Sequence, residues 1–325
     1  MKSFIYLYYA NFQGISKPLL DCDVINLSFG KIIKRKDKYG VDISNIKTII
    51  DLFKNIENRP QIVLSIGGWG SDGFAYMASS KNFRASFIEE VLKILEENSL
   101  DGIDIDWEYP TVSSGHIETL GDIDKANFSL LLKELKEKFA LKGYILSAAV
   151  ATDPKYYEVD QLNKYLDYIN IMSYDLDYGA EKTVHLTPLY SSSNTLSSAS
   201  KAVESFHKLG MAKEKMVIGC AFYVRRLQVE SGLNNGLGVK NLTFETKYYK
   251  DIDSLLNKEI KVYFDVEAGA SYGYDGKYFY SFESLKSIDL KVKFVKQNNL
   301  LGVMAWEYSQ DTPDFKLLNQ INKLR

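Results

Sequence analysis

A chain of 325 residues that is 46% hydrophobic and 25% charged reads as a soluble globular protein of enzyme size, with enough apolar material for a sizeable core. Its forty basic and forty-two acidic residues are spread along the chain and leave a net charge of −2, which disfavours nucleic acid and membrane surfaces as partners. Cys22 and Cys220 are too few for a disulfide framework, and His116, His185 and His207 show no metal-ligand spacing, so a zinc hydrolase is disfavoured and no metal or cofactor is expected. No segment is long and apolar enough to cross a bilayer, and the opening Met1-Lys-Ser-Phe-Ile-Tyr-Leu-Tyr-Tyr is not an export-type run. The expectation is an intracellular protein or one whose leader has been trimmed.

In chain order, short apolar runs predict strands over 4–9, 24–29, 61–67, 102–108, 144–151, 168–174, 216–222 and 302–307. Amphipathic stretches predict helices over 43–56, 82–97, 125–141, 196–208, 282–298 and 315–324. Parallel strands joined by crossover helices follow from that alternation, and eight strands close a barrel, so the fold class is α/β, a (β/α)8 TIM barrel. The interval of about sixty residues between the seventh strand and the helix before the eighth is too long for an ordinary βα loop. It predicts an α+β insertion over 227–282, with the barrel over 1–226 and 283–325. The simplest form is a hairpin from the runs 261–266 and 272–280 plus a short helix over 253–257; about half of Tyr272, Tyr274, Tyr278 and Tyr280 are expected in its own core.

The run Asp101-Gly-Ile-Asp-Ile-Asp-Trp-Glu-Tyr-Pro110 sets four carboxylates within eight residues of a strand. Alternation turns Asp104, Asp106 and Glu108 to one face and Ile103, Ile105 and Trp107 to the other. On a barrel strand the acid face is the lumen, with Glu108 at the C-terminal mouth where barrel chemistry is found. Crowded acids in a desolvated space share protons, so Glu108 is the candidate general acid. The bland alternative is ion pairing to Lys or Arg within the barrel, or a wet strand edge, although the strand ends offer few cations. A divalent-metal role is disfavoured, because a column along one strand gathers few oxygens around a common centre. Ser65 and Gly67 on the preceding strand supply a hydroxyl and an empty space beside Asp104.

Asp101-x-x-Asp104-x-Asp106-x-Glu108 resembles the DxxDxDxE signature of family 18 glycoside hydrolases, the chitinases and their relatives, and Ser65-Ile-Gly67-Gly68 resembles their SxGG motif. Met172-Ser-Tyr174-Asp175, Gly219-Cys-Ala-Phe-Tyr223-Val-Arg225 and Met304-Ala-Trp306-Glu307 extend the likeness over strands six to eight. The long insertion is similar in place to that of the chitinase A-type subfamily, which walls one side of a deep groove. The resemblance implies hydrolysis of β-1,4 linkages next to N-acetylglucosamine with retention, the sugar's own acetamido oxygen acting as nucleophile. It makes Glu108 the acid and then the base, Asp106 the group that orients the acetamide, Asp104 a holder or sharer of its proton, and Tyr174 a donor to the acetamide oxygen. Asp175, Tyr223 and Arg225 would contact the substrate, Trp306 would floor the groove, and Met172 and Gly68 would lie along it. Tyr8 matches the family's first-strand tyrosine, Phe12 stands where relatives often have Trp, and Trp69, following the SxGG motif, would serve a more distant subsite, whereas Trp107 faces away.

Leu176-Asp-Tyr178-Gly stands where relatives often carry a His-Gly or Asn-Gly pair, so groove contacts are expected to differ. Only three tryptophans argue against processive attack on crystalline chitin. The intact Glu108 favours a chitinase acting on chitin or chitooligosaccharide, as a monomer, over a non-hydrolytic chitin lectin. An endo-β-N-acetylglucosaminidase of N-glycans and a cell-wall glycan hydrolase stay open.

Overall fold

A computed structural model describes residues 1–113, 117–177 and 179–324, so His116 and Tyr178 lie outside the described residues. Eight parallel strands form a closed barrel: β1 Lys2–Tyr8, β2 Val24–Arg35, β3 Gln61–Gly67, β4 Gly102–Asp106, β5 Ile145–Val150, β6 Tyr168–Ile171, β7 Met216–Ala221 and β8 Gly302–Trp306. They pair in sequence, and β8 returns to β1 with Phe4 opposite Met304. Period two divides the side chains between two cores. Ile5, Leu7, Ile25, Leu27, Ile103 and Ile105 face the surrounding helices, whereas Phe4, Tyr6, Val24, Val63 and Met304 pack in the lumen.

The six expected helices are present at Lys47–Phe53, Lys81–Asn98, Ile123–Phe139, Ala199–Lys208, Leu285–Gln297 and Lys316–Leu324. Four more, Lys17–Leu20, Phe74–Ser79, Val159–Tyr165 and Tyr249–Ile252, are too short for a clear apolar period to show in sequence. The expected strand ends overrun at the mouth, where Glu108, Tyr174 and Glu307 lie past the last ladder pair, the first two facing the cleft and Glu307 buried against Ser309 and the Tyr8 amide. β2 instead runs on beyond the barrel and pairs with the antiparallel strand Lys38–Asp42.

The segment between β7 and β8 is richer than a hairpin and a helix. It forms a five-stranded antiparallel sheet in the order Asn241–Tyr248, Tyr223–Val229, Tyr278–Phe282, Ala270–Tyr274, Lys261–Asp265. Its second strand begins at Tyr223, so residues 223–226 belong to this sheet although the sequence placed them with the barrel. Tyr272 packs into the sheet's own core with Leu227, Val229 and Phe279, while Tyr280, pointing the other way, joins the main core. Tyr274 is half-buried against the sheet's core and Tyr278 half-buried against the main one.

Candidate active site

β4 sends its acids into the barrel because its alternate residues fall on opposite sides of a closed wall. Outside, Trp107 stacks on Phe74 with ring centroids 5.3 Å apart and meets Phe128 edge-on at 5.8 Å. Inside, Asp104 sits in register between Ser65 of β3 and Ser147 of β5. Its Oδ2 accepts from Tyr6 (2.8 Å) and Ser65 (3.0 Å), and its Oδ1 from Ser147 (2.7 Å) and Asn170 (3.2 Å). Four donors fill the acceptor sites of an ionised carboxylate. Burial raises the Asp104 pKa while these donors pull it back, leaving it above the ordinary value. The hydrogen-bond set accommodates the anion, since a protonated Asp104 would have to give up one donor.

Asp106 lies nearer the mouth, 3% exposed, opposite Gly67. A Cβ on Gly67 would come within 2.1 Å of the Asp106 carbonyl oxygen, and the Gly68 amide donates to that oxygen at 2.9 Å. The Asp106 Oδ1 atom is buried without a hydrogen-bond partner. Burial, then the charges of Glu108 and Asp104, push its pKa well above the usual carboxylate range. Of the two buried acids Asp106 is the one with no hydrogen bond to its Oδ1, so nothing there offsets the burial and the neighbouring charges.

Glu108 is half-buried just past the end of β4. Burial lifts its pKa to about 7, against the opposing hydrogen bond from Tyr109 and with a further push from the Asp175 charge. The Tyr109 ring stacks on Tyr156 at 5.4 Å, which holds the phenol in place. Across the lumen Tyr174 rests against Gly219, where a Cβ would approach its ring to 2.8 Å, and its hydroxyl lies 4.0 Å from the Met304 sulfur. The next residue, Asp175, has φ 54° and accepts from the Tyr223 hydroxyl (2.6 Å) and the Arg225 guanidinium (2.7 Å).

These groups open on a cleft of about 1060 Å³. Trp306 forms part of its wall with Phe29, stacked 5.5 Å away, and with Tyr8 and Tyr6. Met172 and Tyr223 line it too, and Trp69 stands 71% exposed at its edge. Phe12, named from the sequence, packs against the outer core and does not line the cleft. Neither does Gly68, whose side-chain direction is filled by the Phe29 ring 2.5 Å from its Cβ position. Arg225 is 3% exposed and does not itself line the cleft, but it contacts two residues that do, Asp175 and the Phe244 ring 5.5 Å away. Asp101 serves β4 from outside, accepting from the Ile62 amide (2.7 Å) and pairing with Arg59 (2.5 Å).

Tyr6, Ser147, Asn170, Phe29 and Tyr109 belong to the site without having been named from the sequence. Alternation along β1, β5 and β6 was the available signal, since it turns Tyr6, Ser147 and Asn170 inward at a level where barrels carry aliphatic residues. Ion pairing explains Asp101 but not Asp104, Asp106 and Glu108: among the described residues the other salt bridges of Lys and Arg go elsewhere, such as to Glu134, Asp167 and Glu283. Among the described residues no group of three or more His, Cys, Asp or Glu could hold a metal ion.

A carboxyl with its pKa raised to about 7, above a second buried acid, in an aromatic-walled groove at the C-terminal mouth of a barrel, is an arrangement suited to acid–base chemistry. The chain belongs to glycosyl hydrolase family 18, whose model matches residues 4–311. It is similar to probable chitinase 2 of Drosophila melanogaster, with 31% identity over 280 residues, 78% of this chain and 56% of that protein. The chain thus spans about half the length of that curated relative. Among solved structures, a family 18 N-acetylglucosaminidase from Paenibacillus barengoltzii superposes with TM-score 0.91 at 30% identity, over 100% of this chain and 99% of that one. The chitinase-like agglutinin of Robinia pseudoacacia superposes with TM-score 0.86 at 26% identity, over 99% and 98%.

Proposed function

We propose that the protein hydrolyses β-1,4 linkages of N-acetylglucosamine chains, chitin or chitooligosaccharides, with retention of configuration. The observation that carries this reading is Glu108 itself: an intact carboxyl at the mouth of the barrel whose pKa is raised to about 7, above an Asp106 whose pKa burial also raises. Glu108 then protonates the glycosidic oxygen and, deprotonated by that step, activates the incoming water. Asp106 turns its partnerless Oδ1 to the acetamide of the reacting sugar, and Tyr174 holds the acetamide oxygen from the opposite wall. The nearby carboxylates are otherwise engaged, Asp175 by Tyr223 and Arg225, Glu307 by Ser309 and the Tyr8 amide. That supports the acetamido oxygen as nucleophile, and this family stands among the exceptions to the two-carboxylate scheme of glycoside hydrolysis. Tyr8, Trp69 and Trp306 offer ring faces to a neutral sugar chain.

The likeness to an agglutinin keeps a second reading, carbohydrate binding without hydrolysis, in view. Incubating the protein and its Glu108→Gln variant with chitooligosaccharides and with N-glycopeptides, following product length and anomer, separates the readings. Release of β-anomeric oligosaccharides that ceases in the variant supports the proposal. Unchanged turnover in the variant, or initial α-anomer, overturns the mechanism. Binding without cleavage by the wild type gives the lectin reading instead, and cleavage confined to the glycopeptide makes the protein an endo-β-N-acetylglucosaminidase.

A further inference from the structure

Lys291 and Glu283 are an ion pair with no solvent exposure on either partner, far from the carboxylates of the cleft in sequence and on the outer side of β7. The three N–H groups of Lys291, on the helix Leu285–Gln297, are all used: one to Glu283 Oε1 (2.5 Å), one to Thr187 Oγ1 (2.5 Å) and one to the Gly219 carbonyl oxygen (2.9 Å). Ser287 Oγ completes Glu283 by donating to its Oε2 at 2.5 Å.

What the pair touches leads directly to Tyr174. Thr187, accepting from Lys291, donates its own hydrogen to the Ser173 carbonyl oxygen at 2.9 Å. The Ser173 hydroxyl donates to the Gly219 carbonyl oxygen (3.0 Å) and accepts from the Gly219 amide (2.8 Å). Ser173 immediately precedes Tyr174, and Gly219 is the surface on which the Tyr174 ring lies. Both the backbone that aims the phenol and the wall behind its ring are therefore tied to one ammonium group. A buried pair of this kind adds little net stability compared with apolar residues of the same volume, because desolvation offsets the attraction. Its directional hydrogen bonds do fix three chain segments relative to one another.

We propose that Lys291 and Glu283 are positioning residues for Tyr174, acting through Thr187, Ser173 and Gly219; for catalysis this rests on the hydrolytic reading above. The test is a cycle on chitooligosaccharide hydrolysis between the paired change Lys291→Met with Glu283→Gln and the change Tyr174→Phe. The paired change is expected to lower kcat about tenfold with KM within about twofold, and to cost less than about twofold once Tyr174 is already Phe. An equal loss in both backgrounds, or no loss in either, overturns the proposal. Thr187→Val, which cuts the link to Ser173 while leaving the ion pair, is expected to give the same non-additivity and serves if the paired change does not fold. A substrate-free arm keeps the proposal separate from the reading of function: fluorotyrosine placed at Tyr174 should give one sharp fluorine resonance that shifts or broadens in Thr187→Val. An unchanged resonance overturns the positioning whatever the protein hydrolyses.

Discussion

The Tyr6 hydroxyl donates to Asp104 Oδ2 at 2.8 Å inside the barrel, joining the first strand to the acid-rich fourth across 98 residues of chain. Asn170 donates to both partners, to the Tyr6 oxygen at 3.1 Å and to Asp104 at 3.2 Å, so the contact is one side of a closed triangle. The four donors oppose the rise that burial imposes on the Asp104 pKa, while the partnerless Oδ1 of Asp106 has no such counterweight. Tyr6→Phe removes one of four donors and lets the Asp104 pKa rise further. A hydrogen bond to a charged group is worth about 1.5–3 kcal/mol, so a melting point lower by several degrees is expected, with kcat reduced about tenfold. Thermal melts and steady-state kinetics on one oligosaccharide check this; full kcat in the variant would uncouple Asp104 from the reaction.

The raised pKa of Glu108 dictates a pH profile. A general acid must enter the reaction protonated, so kcat/KM should fall about tenfold per pH unit above about 7. Stability follows the same group with a definite sign. A carboxyl whose pKa goes from 4.5 unfolded to about 7 folded binds its proton more tightly in the folded state. Its contribution is complete below pH 4.5 and is lost as pH rises through about 7. Glu108→Gln has nothing to lose, so it should match the wild type near pH 4 and exceed it at pH 8, by about 2 kcal/mol for a half-buried group. Urea melts at the two pH values decide it, and parallel curves at both would remove the burial assigned to Glu108.

Gly67 and Gly70 make a matched pair of glycines beside the cleft. Both have positive φ, 120° and 79°, so alanine is strained at either. Only Gly67 lacks space: its Cβ would stand 2.1 Å from the Asp106 carbonyl oxygen, whereas at Gly70 nothing lies within 4 Å. Gly70→Ala should cost about 1 kcal/mol and leave kcat intact. Gly67→Ala must push β4 aside and should abolish turnover or soluble expression. Comparable melts and activities for the two variants would contradict the contact.

The acid column, the eight strands and the closing of the barrel were legible because period-two alternation and strand–helix spacing are local signals. What escaped was set by partners distant in the chain. Tyr6, Ser147 and Asn170 matter only because three strands bring them to one carboxylate, and nothing near them in sequence says which polar lumen residue meets which. Phe12 misled for the converse reason, since an aromatic at a family position still packs wherever its own loop places it. The insertion was under-read because its second strand follows β7 after a single residue, Phe222, so 216–229 looks like one strand and its overhang.

Trp107 and Trp69 test how far that alternation can be trusted. Trp107 neighbours the acids in sequence yet is 2% exposed, sandwiched between Phe74 and the edge of Phe128 among the helices. Trp107→Ala empties that place and should cost about 3–5 kcal/mol, whatever happens to the few molecules still folded. Trp69 is 71% exposed, and its loss should change stability by no more than about 0.5 kcal/mol. Its ring at the edge of the cleft should show instead in KM, rising several-fold for long oligosaccharides and less for short ones that do not reach it. Denaturant melts beside KM against chain length give both answers. A Trp107 variant of normal stability with a raised KM would turn the fourth strand over and put its carboxylates outside the barrel.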